Sequence, residues 1–385
     1  MKQTLFIAML CGSMLAFAQQ TTDGWDIEAY TWAEKPEPET REWVKSQEEA
    51  VIKSTTLLQY RYEDEDVAFY ELSHRRIWIG NEKTIESYNK LYVPVMEDGA
   101  LRIQARVLQP NGAVINLDEE DIQEGKDEDD NTYQYFALDG IQVGSVVEYL
   151  FLTKGMPSFY GSRYTLQRDA PVYDLTFELV TPGNLLFKTK SYNGLRQAVY
   201  DTILEEQNRF FIHQDTLPKF EAQPQAYERA HMAYVLFALD RNLYNGLRDM
   251  SSFGNAASRI YNNLLVDVNS KVEKGFKRIL AESGMEDESE LERKIAAIEG
   301  YLKEEFFVQN AASTAAMVDV EQILKNKVMN EIGCLRLYTS LFTYAGIENE
   351  LVLTTDRSST PFDPDFENNL FLREDLIYFP EAKVF

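Results

Sequence analysis

Residues 330 to 353 read "NEIGCLRLYTSLFTYAGIENELVL", and Cys334 stands where a loop gives way to a helix. A thiol at a helix start has exposed backbone N–H groups beside it. They stabilise the thiolate, lower its pKa and suit it to nucleophilic attack. Helical spacing also puts Cys334, Leu337, Leu341 and Tyr344 on one face. There the thiol would serve as a small buried hydrophobe. A working nucleophile needs a base to take its proton and a further group to orient that base. All three histidines, His74, His213 and His231, precede Cys334 in the chain.

The other candidate chemistry is weaker. In "DEDDNT", Asp127, Asp129 and Asn131 alternate as calcium ligands would, but Thr132 and Leu138 stand where an EF-hand loop needs Gly and Glu. A solvated loop is expected, and no metal or cofactor. The sequence contains no HExxH, CxxC, GxSxG or glycine-rich phosphate loop. Acidic pairs such as Glu119–Glu120 and Asp363–Asp365 are what chance gives among 63 acidic residues, so they do not argue for a glycosidase. A net charge of −25 sets the chain against nucleic acid and anionic membrane surfaces.

The elements that must position Cys334 follow from pattern. Residues 1–18 read as a secretory signal: Lys2, the apolar "LFIAMLCGSMLAF" and a small-residue site at Ala16-Phe17-Ala18. Leu10 before Cys11 argues against lipidation, and no membrane insertion is expected after cleavage. Residues 19–45 read as a polar arm with a short helix near Arg41–Lys45. From 46 to 225, β-branched and aromatic runs of strand length point to an antiparallel β-sandwich. Within it Asn111-Gly112 sets a hairpin between "LRIQARVL" and "AVINL". Beyond 226 the period changes. "SELERKIAAIEGYLKEEF" places Leu291, Ile295, Ile298 and Leu302 on one helical face, with a capping-box pattern at Ser289 and Glu292. "VDVEQILKNK" and the Cys334 segment are helices, and "ELVLTT" and "DLIYFP" are strands. The expected fold class is therefore multi-domain: an all-β antiparallel sandwich, then an α+β domain.

Two stretches carry a family resemblance. "IAAIEGYLKEEF" followed by the Cys334 segment and its strands resembles the bacterial transglutaminase-like core. "RVLQPNGAVINLDEEDI" and "FALDGIQVGSVVEYLF" resemble the β-sandwich domain of unknown function that precedes that core in secreted bacterial proteins. The resemblance implies a cysteine, histidine and aspartate in that chain order, performing acyl transfer or amide hydrolysis. Here the family's Gly and following residue are replaced by Ile332 and Gly333 before the cysteine. Asn368, Asn369 and Glu374 stand in the region where the histidine belongs. The aspartate strand would lie past "DLIYFP", near where the sequence stops at Phe385, so the core reads as partial. The expected function is that of a secreted or periplasmic pseudoenzyme. It would bind or scaffold a protein, peptide or glycan of the cell envelope. The alternative is an active transglutaminase, amidase or peptidase with Cys334 as nucleophile.

Overall fold

The computed structural model describes residues 26–39, 41–94, 100–127, 130, 132–204, 206–309 and 314–385. The expected signal segment, Cys11, Asp129 and Asn131 lie outside the described residues. Among the described residues no helix is long and apolar enough to cross a membrane.

The first part of the chain is dominated by strands. In order they are β1 (Glu49–Glu63), β2 (Asp66–Ile79), β3 (Lys90–Val93), β4 (Ala100–Leu108), β5 (Val114–Leu117), β6 (Ile122–Lys126), β7 (Thr132–Ala137), β8 (Val146–Gly155), β9 (Ser162–Thr165), β10 (Val172–Pro182), β11 (Leu185–Tyr192), β12 (Val199–Leu204), β13 (Gln207–Leu217) and β14 (Tyr234–Asn242). Three short helices, α1 (Glu42–Lys45), α2 (Glu82–Tyr88) and α3 (Glu228–His231), interrupt them. An eight-stranded sheet runs β12-β13-β10-β1-β2-β8-β4-β5, and two three-stranded sheets run β11-β14-β9 and β3-β7-β6. One continuous core joins them: Leu58, Val107, Phe177 and Ile212 of the large sheet meet Phe187, Phe237 and Leu239 on one small sheet and Leu91 and Phe136 on the other.

Two features depart from expectation. Neighbouring strands in the large sheet are antiparallel except β1 and β10, which pair in parallel with Val51 opposite Val172. The sheet is therefore mixed, because the chain leaves one edge of the β1–β2–β8 block and re-enters at the other. In addition β14, which lies beyond residue 225, is hydrogen-bonded between β11 and β9 and fills the first core. The Asn111-Gly112 hairpin is present: β4 and β5 pair antiparallel, and Gly112 takes the positive φ of the turn at 86°.

The arm lies against the solvent side of β1, β2, β8 and β4. Ile27 is fully buried there with Leu72, Leu150 and Leu152. Its polar neighbours hold its backbone. The Arg102 guanidinium donates to the Tyr30 carbonyl at 2.5 Å, Arg106 donates to that of Ala33 at 2.9 Å, and Arg76 to that of Glu37 at 2.7 Å.

A second core follows in α4 (Phe253–Leu264), α5 (Ser270–Glu282), α6 (Leu291–Glu305), α7 (Val320–Asn326) and α8 (Glu331–Tyr344). Two short strand pairs accompany them, β15 (Phe307–Val308) with β16 (Val328–Met329) and β17 (Glu350–Thr354) with β18 (Glu374–Tyr378). Phe276, Ile298, Leu302, Ile323, Leu337 and Leu341 form its fully buried centre. Ser289 does not cap α6. The helix begins at Leu291 with Glu290 in the N-cap position and no side-chain cap, which leaves Ser289 one residue too early. The chain is thus sheet-rich α+β, with a mixed large sheet, smaller sheets that are antiparallel except for the parallel β15–β16 pair, and eight helices among the described residues.

Candidate functional site

The start of α8 is fixed by two contacts. Asn330 is the N-cap, and its Oδ1 accepts the Gly333 N–H at 2.9 Å. Gly333 lies against the turn that precedes α7: a Cβ there would come within 1.9 Å of the Met317 carbonyl oxygen. The residue before the cysteine therefore has no side chain for a packing reason. Cys334 itself is half-buried at the rim of the second core, while Leu337 and Leu341 on the same face are fully buried. Its backbone N–H already donates to the Asn330 carbonyl at 2.8 Å. Burial, and then the Glu331 carboxylate, push the thiol up to about 11. The helix start does not produce a thiolate here, because desolvation and a neighbouring negative charge both favour the neutral thiol.

Strand β18 carries another acid that feels Glu331. Asp375 is held above the usual carboxylate range by burial of its carboxyl, then by Glu331 and Glu374. Asp375, Ile377 and Phe379 share one face, and Ile377 and Phe379 pack on the second core. Glu374 falls on the other face with Leu376, which is exposed. Glu374 and Asp375 are both exposed, and Asp375 feels the charge of Glu331 at the start of α8.

Asn368 and Asn369 lie elsewhere. The segment between β17 and β18 folds back over β9, β11 and β14, and the two asparagines sit in that contact. Asn368 is fully buried, and its Oδ1 accepts the Leu370 N–H at 2.9 Å. Asn369 donates its backbone N–H to the Tyr160 carbonyl at 3.1 Å. Around them Phe366 and Phe371 pack on Tyr234 and Leu236. Asp363 accepts from the Tyr192 hydroxyl at 2.7 Å and pairs with Lys190 at 2.5 Å. The Arg163 guanidinium lies 3.8 Å over the Tyr234 ring and donates to the Thr360 hydroxyl at 2.9 Å. These residues join the C-terminal segment to the face of the β11-β14-β9 sheet that is turned away from the first core.

The histidines are also accounted for. His213 is beside Asp215 at 3.2 Å on β13, and His231 is exposed at the end of α3. His74 is buried under the arm. One ring nitrogen lies 2.7 Å from the Tyr30 hydroxyl and the other 2.9 Å from Glu148. Arg106 donates to the same carboxylate at 2.8 Å, and the Trp32 ring covers the guanidinium at 4.2 Å. Burial pushes the Glu148 carboxyl up, but the His74 hydrogen bond and the charges of Arg76 and Arg106 outweigh it and hold the group below its usual range. Burial also keeps His74 below its ordinary value. The adjacent "HRR" in a strand was the signal, since charged runs in a sheet are buried only where partners wait for them. Among the described residues no three His, Cys, Asp or Glu side chains gather as a metal-ligand set.

Comparison with known proteins places part of this geometry. Residues 70–210 match the family DUF3857, a domain of unknown function. The fold is similar to that of a candidate protease from Parabacteroides distasonis, at 12% identity and a TM-score of 0.57, over 87% of this chain and 66% of that one. The chain thus spans just under two thirds of that protein. Aminopeptidase A of Legionella pneumophila aligns over 50% of this chain and 22% of its own, at 8% identity and a TM-score of 0.29. Yeast LTA4 hydrolase aligns over 50% of this chain and 29% of its own, at 10% identity and 0.26. Scores that low support no argument about this chain. No curated protein matches the sequence. The likeness that stands is one of fold, to the candidate protease, with the DUF3857 match lying within the strand-rich part.

Proposed function

We propose that this is a secreted cell-envelope protein whose transglutaminase-like unit is catalytically silent and acts with its β-sandwich as a binding or scaffolding module. The surroundings of Cys334 carry this reading. A thiol pushed up to about 11 leaves a thiolate fraction on the order of one in ten thousand at neutral pH. Acyl transfer also needs a proton donor for the leaving group. The strand that would carry the histidine, β18, carries Glu374 and Asp375 and no histidine.

The order of α8, β17 and β18 supports the transglutaminase-like reading, and the single core shared by the large and small sheets supports the sandwich. Because β14 fills that core, we place the division between the units after Asn242 and before Phe253. The leader read in residues 1–18 supports secretion. A net charge of −25 disfavours nucleic acid and anionic bilayers and leaves a protein, peptide or glycan of the envelope as partner.

One observation favours a second reading, that of an active cysteine enzyme: the fold likeness to the candidate protease. The two separate in an assay of peptide hydrolysis and of labelled-amine incorporation into a glutamine-rich protein. No turnover above background is expected. Turnover in the parent that disappears in Cys334→Ala would replace the first reading with the second.

A further inference from the structure

In a chain carrying −25, one groove carries the opposite sign. It lies between α5 and α7, has a volume of about 440 Å³, and is bounded by Lys271, Lys274, Arg278 and Lys325 with Glu321 as its one acid, a local excess of three positive charges. Lys271, Lys274 and Arg278 are spaced i, i+3, i+7 on α5, so all three project from one face. Lys325 faces them from α7.

Close helix packing brings the two rows together. Gly275 sits between Lys274 and the next turn, and a Cβ there would meet the Leu324 side chain at 2.6 Å. Leu324 and Gly275 therefore form an uncharged floor, and the cations stand around it. The nearby acids are already engaged. Glu321 pairs with Lys271 at 2.6 Å, and Glu273 pairs with Lys277 at 2.6 Å on the neighbouring stripe of α5. Glu282 accepts from the Tyr301 hydroxyl. Lys274, Arg278 and Lys325 have no ion-pair partner within 4.0 Å among the described residues. Leaving three like charges around one groove costs repulsion, which a bound anion relieves.

We propose that this groove binds a phosphomonoester carried on a sugar-sized group. A phosphomonoester holds about −1.5 to −2 charges at neutral pH and offers three acceptor oxygens. That matches a guanidinium fork flanked by ammonium groups better than a single carboxylate does. The volume exceeds what a bare phosphate needs and lies within the range of small-ligand sites, roughly 300–1,000 Å³. Leu324 is buried beneath the groove, so the aliphatic stems of Lys271, Lys274 and Arg278 offer the apolar surface on which a sugar ring rests. The overall negative field of the chain opposes the ligand at long range, so affinity comes from the direct contacts and falls with salt.

The full chain tests this by titration with glucose 6-phosphate, followed by calorimetry and by the amide resonance of Gly275. Saturable binding with a shift at Gly275 is expected, weakened about tenfold or more in a Lys274→Glu/Arg278→Glu variant. A Lys35→Glu/Lys83→Glu variant, with the same change in net charge on exposed sites of the strand-rich part, should bind as the parent does. Glucose at equal concentration should not bind, and inorganic phosphate should bind more weakly than the sugar phosphate. Circular dichroism establishes that the variants are folded. If the groove variant is unfolded, sodium chloride decides: binding by the parent must weaken as salt rises, and Gly275 must not respond to chloride alone. No saturable binding, equal binding by the two variants, or equal responses to chloride and sugar phosphate would each overturn the proposal.

Discussion

The carboxylate of Glu148 and the thiol of Cys334 meet opposite fates. Glu148 is 2% exposed, yet it is held ionised by His74, Arg76 and Arg106, and the arm closes over the set with Tyr30 and Trp32. Cys334 is only half-buried, yet burial holds it neutral and the Glu331 carboxylate adds to that. The lesson concerns which partners answer the burial. A buried charge persists where opposite charges and donors are built around it, and a reactive group remains quiet where they are not. The first region contains a histidine, a carboxylate and a hydroxyl, the components of a catalytic set, but all of them hold the arm to the sheet.

The comparison breaks most sharply at Glu148. Replacing it with Ala leaves Arg106, itself 2% exposed, without its carboxylate. Losing one member of a buried pair costs about 3–5 kcal/mol. Urea denaturation should show a loss of that size, and a loss under about 1 kcal/mol would mean that the cluster is no more than a surface pair. The pH dependence has a definite sign. Both His74 and Glu148 are lowered on folding, from ordinary values of 6.5 and 4.5. Their contributions are present above those values and are lost as pH falls through the lowered ones. The arm region should therefore weaken on the acid side.

A smaller effect sharpens the other half of the comparison. Gly333→Ala gains helix propensity of about 1 kcal/mol. It also drives a Cβ to 1.9 Å from the Met317 carbonyl, a backbone clash that cannot be relieved by a rotamer change. Overpacking of this kind costs about 1–3 kcal/mol, so a net loss of up to about 2 kcal/mol is expected in thermal or urea unfolding. Gly300→Ala on exposed α6, where a Cβ meets nothing within 4 Å, should instead stabilise by up to about 1 kcal/mol. If both changes stabilise, packing does not fix the start of α8.

Much of this was legible in the sequence where the signal is local. Ile295, Ile298 and Leu302 announce the α6 face by spacing alone, and the Asn111-Gly112 turn announces its hairpin. Cys334 was legible as a residue on the Leu337–Leu341 face. What escaped was set by distant parts of the chain. No local pattern says that Val51 pairs in parallel with Val172, or that β14 returns to the first core after a polar stretch. Asn368 and Asn369 were placed near the cysteine because they stand just before a strand in the sequence. The contacts of Phe366 and Phe371 with Tyr234 draw that segment to another sheet instead. The arm read as polar, and its seat on the sheet did not show, because the arginines that hold it are spread over β2 and β4.

The smallest effect decides the most about Cys334. Cys334→Ala removes a half-buried sulfur from the rim of the second core and should cost on the order of 1 kcal/mol at neutral pH. Its pH dependence separates a packed thiol from an activated one. Folding raises the thiol from an ordinary 9.0 to about 11. The stability it contributes is therefore full below about 9 and is lost as pH rises through about 11. Tyrosines and lysines titrate in the same window, but they are common to both proteins and cancel in the difference. The gap between parent and variant should consequently narrow from pH 9 to pH 11, and the parent's thiol should react with a disulfide reagent more slowly than free cysteine at pH 8. A thiol activated by a hidden base would behave in the opposite way. Its folded pKa would lie below 9.0, the gap would widen as pH rises towards that value, and modification would be fast. Either result would place Cys334 with the partnered groups of the first region, and the silent reading of α8 would have to be given up.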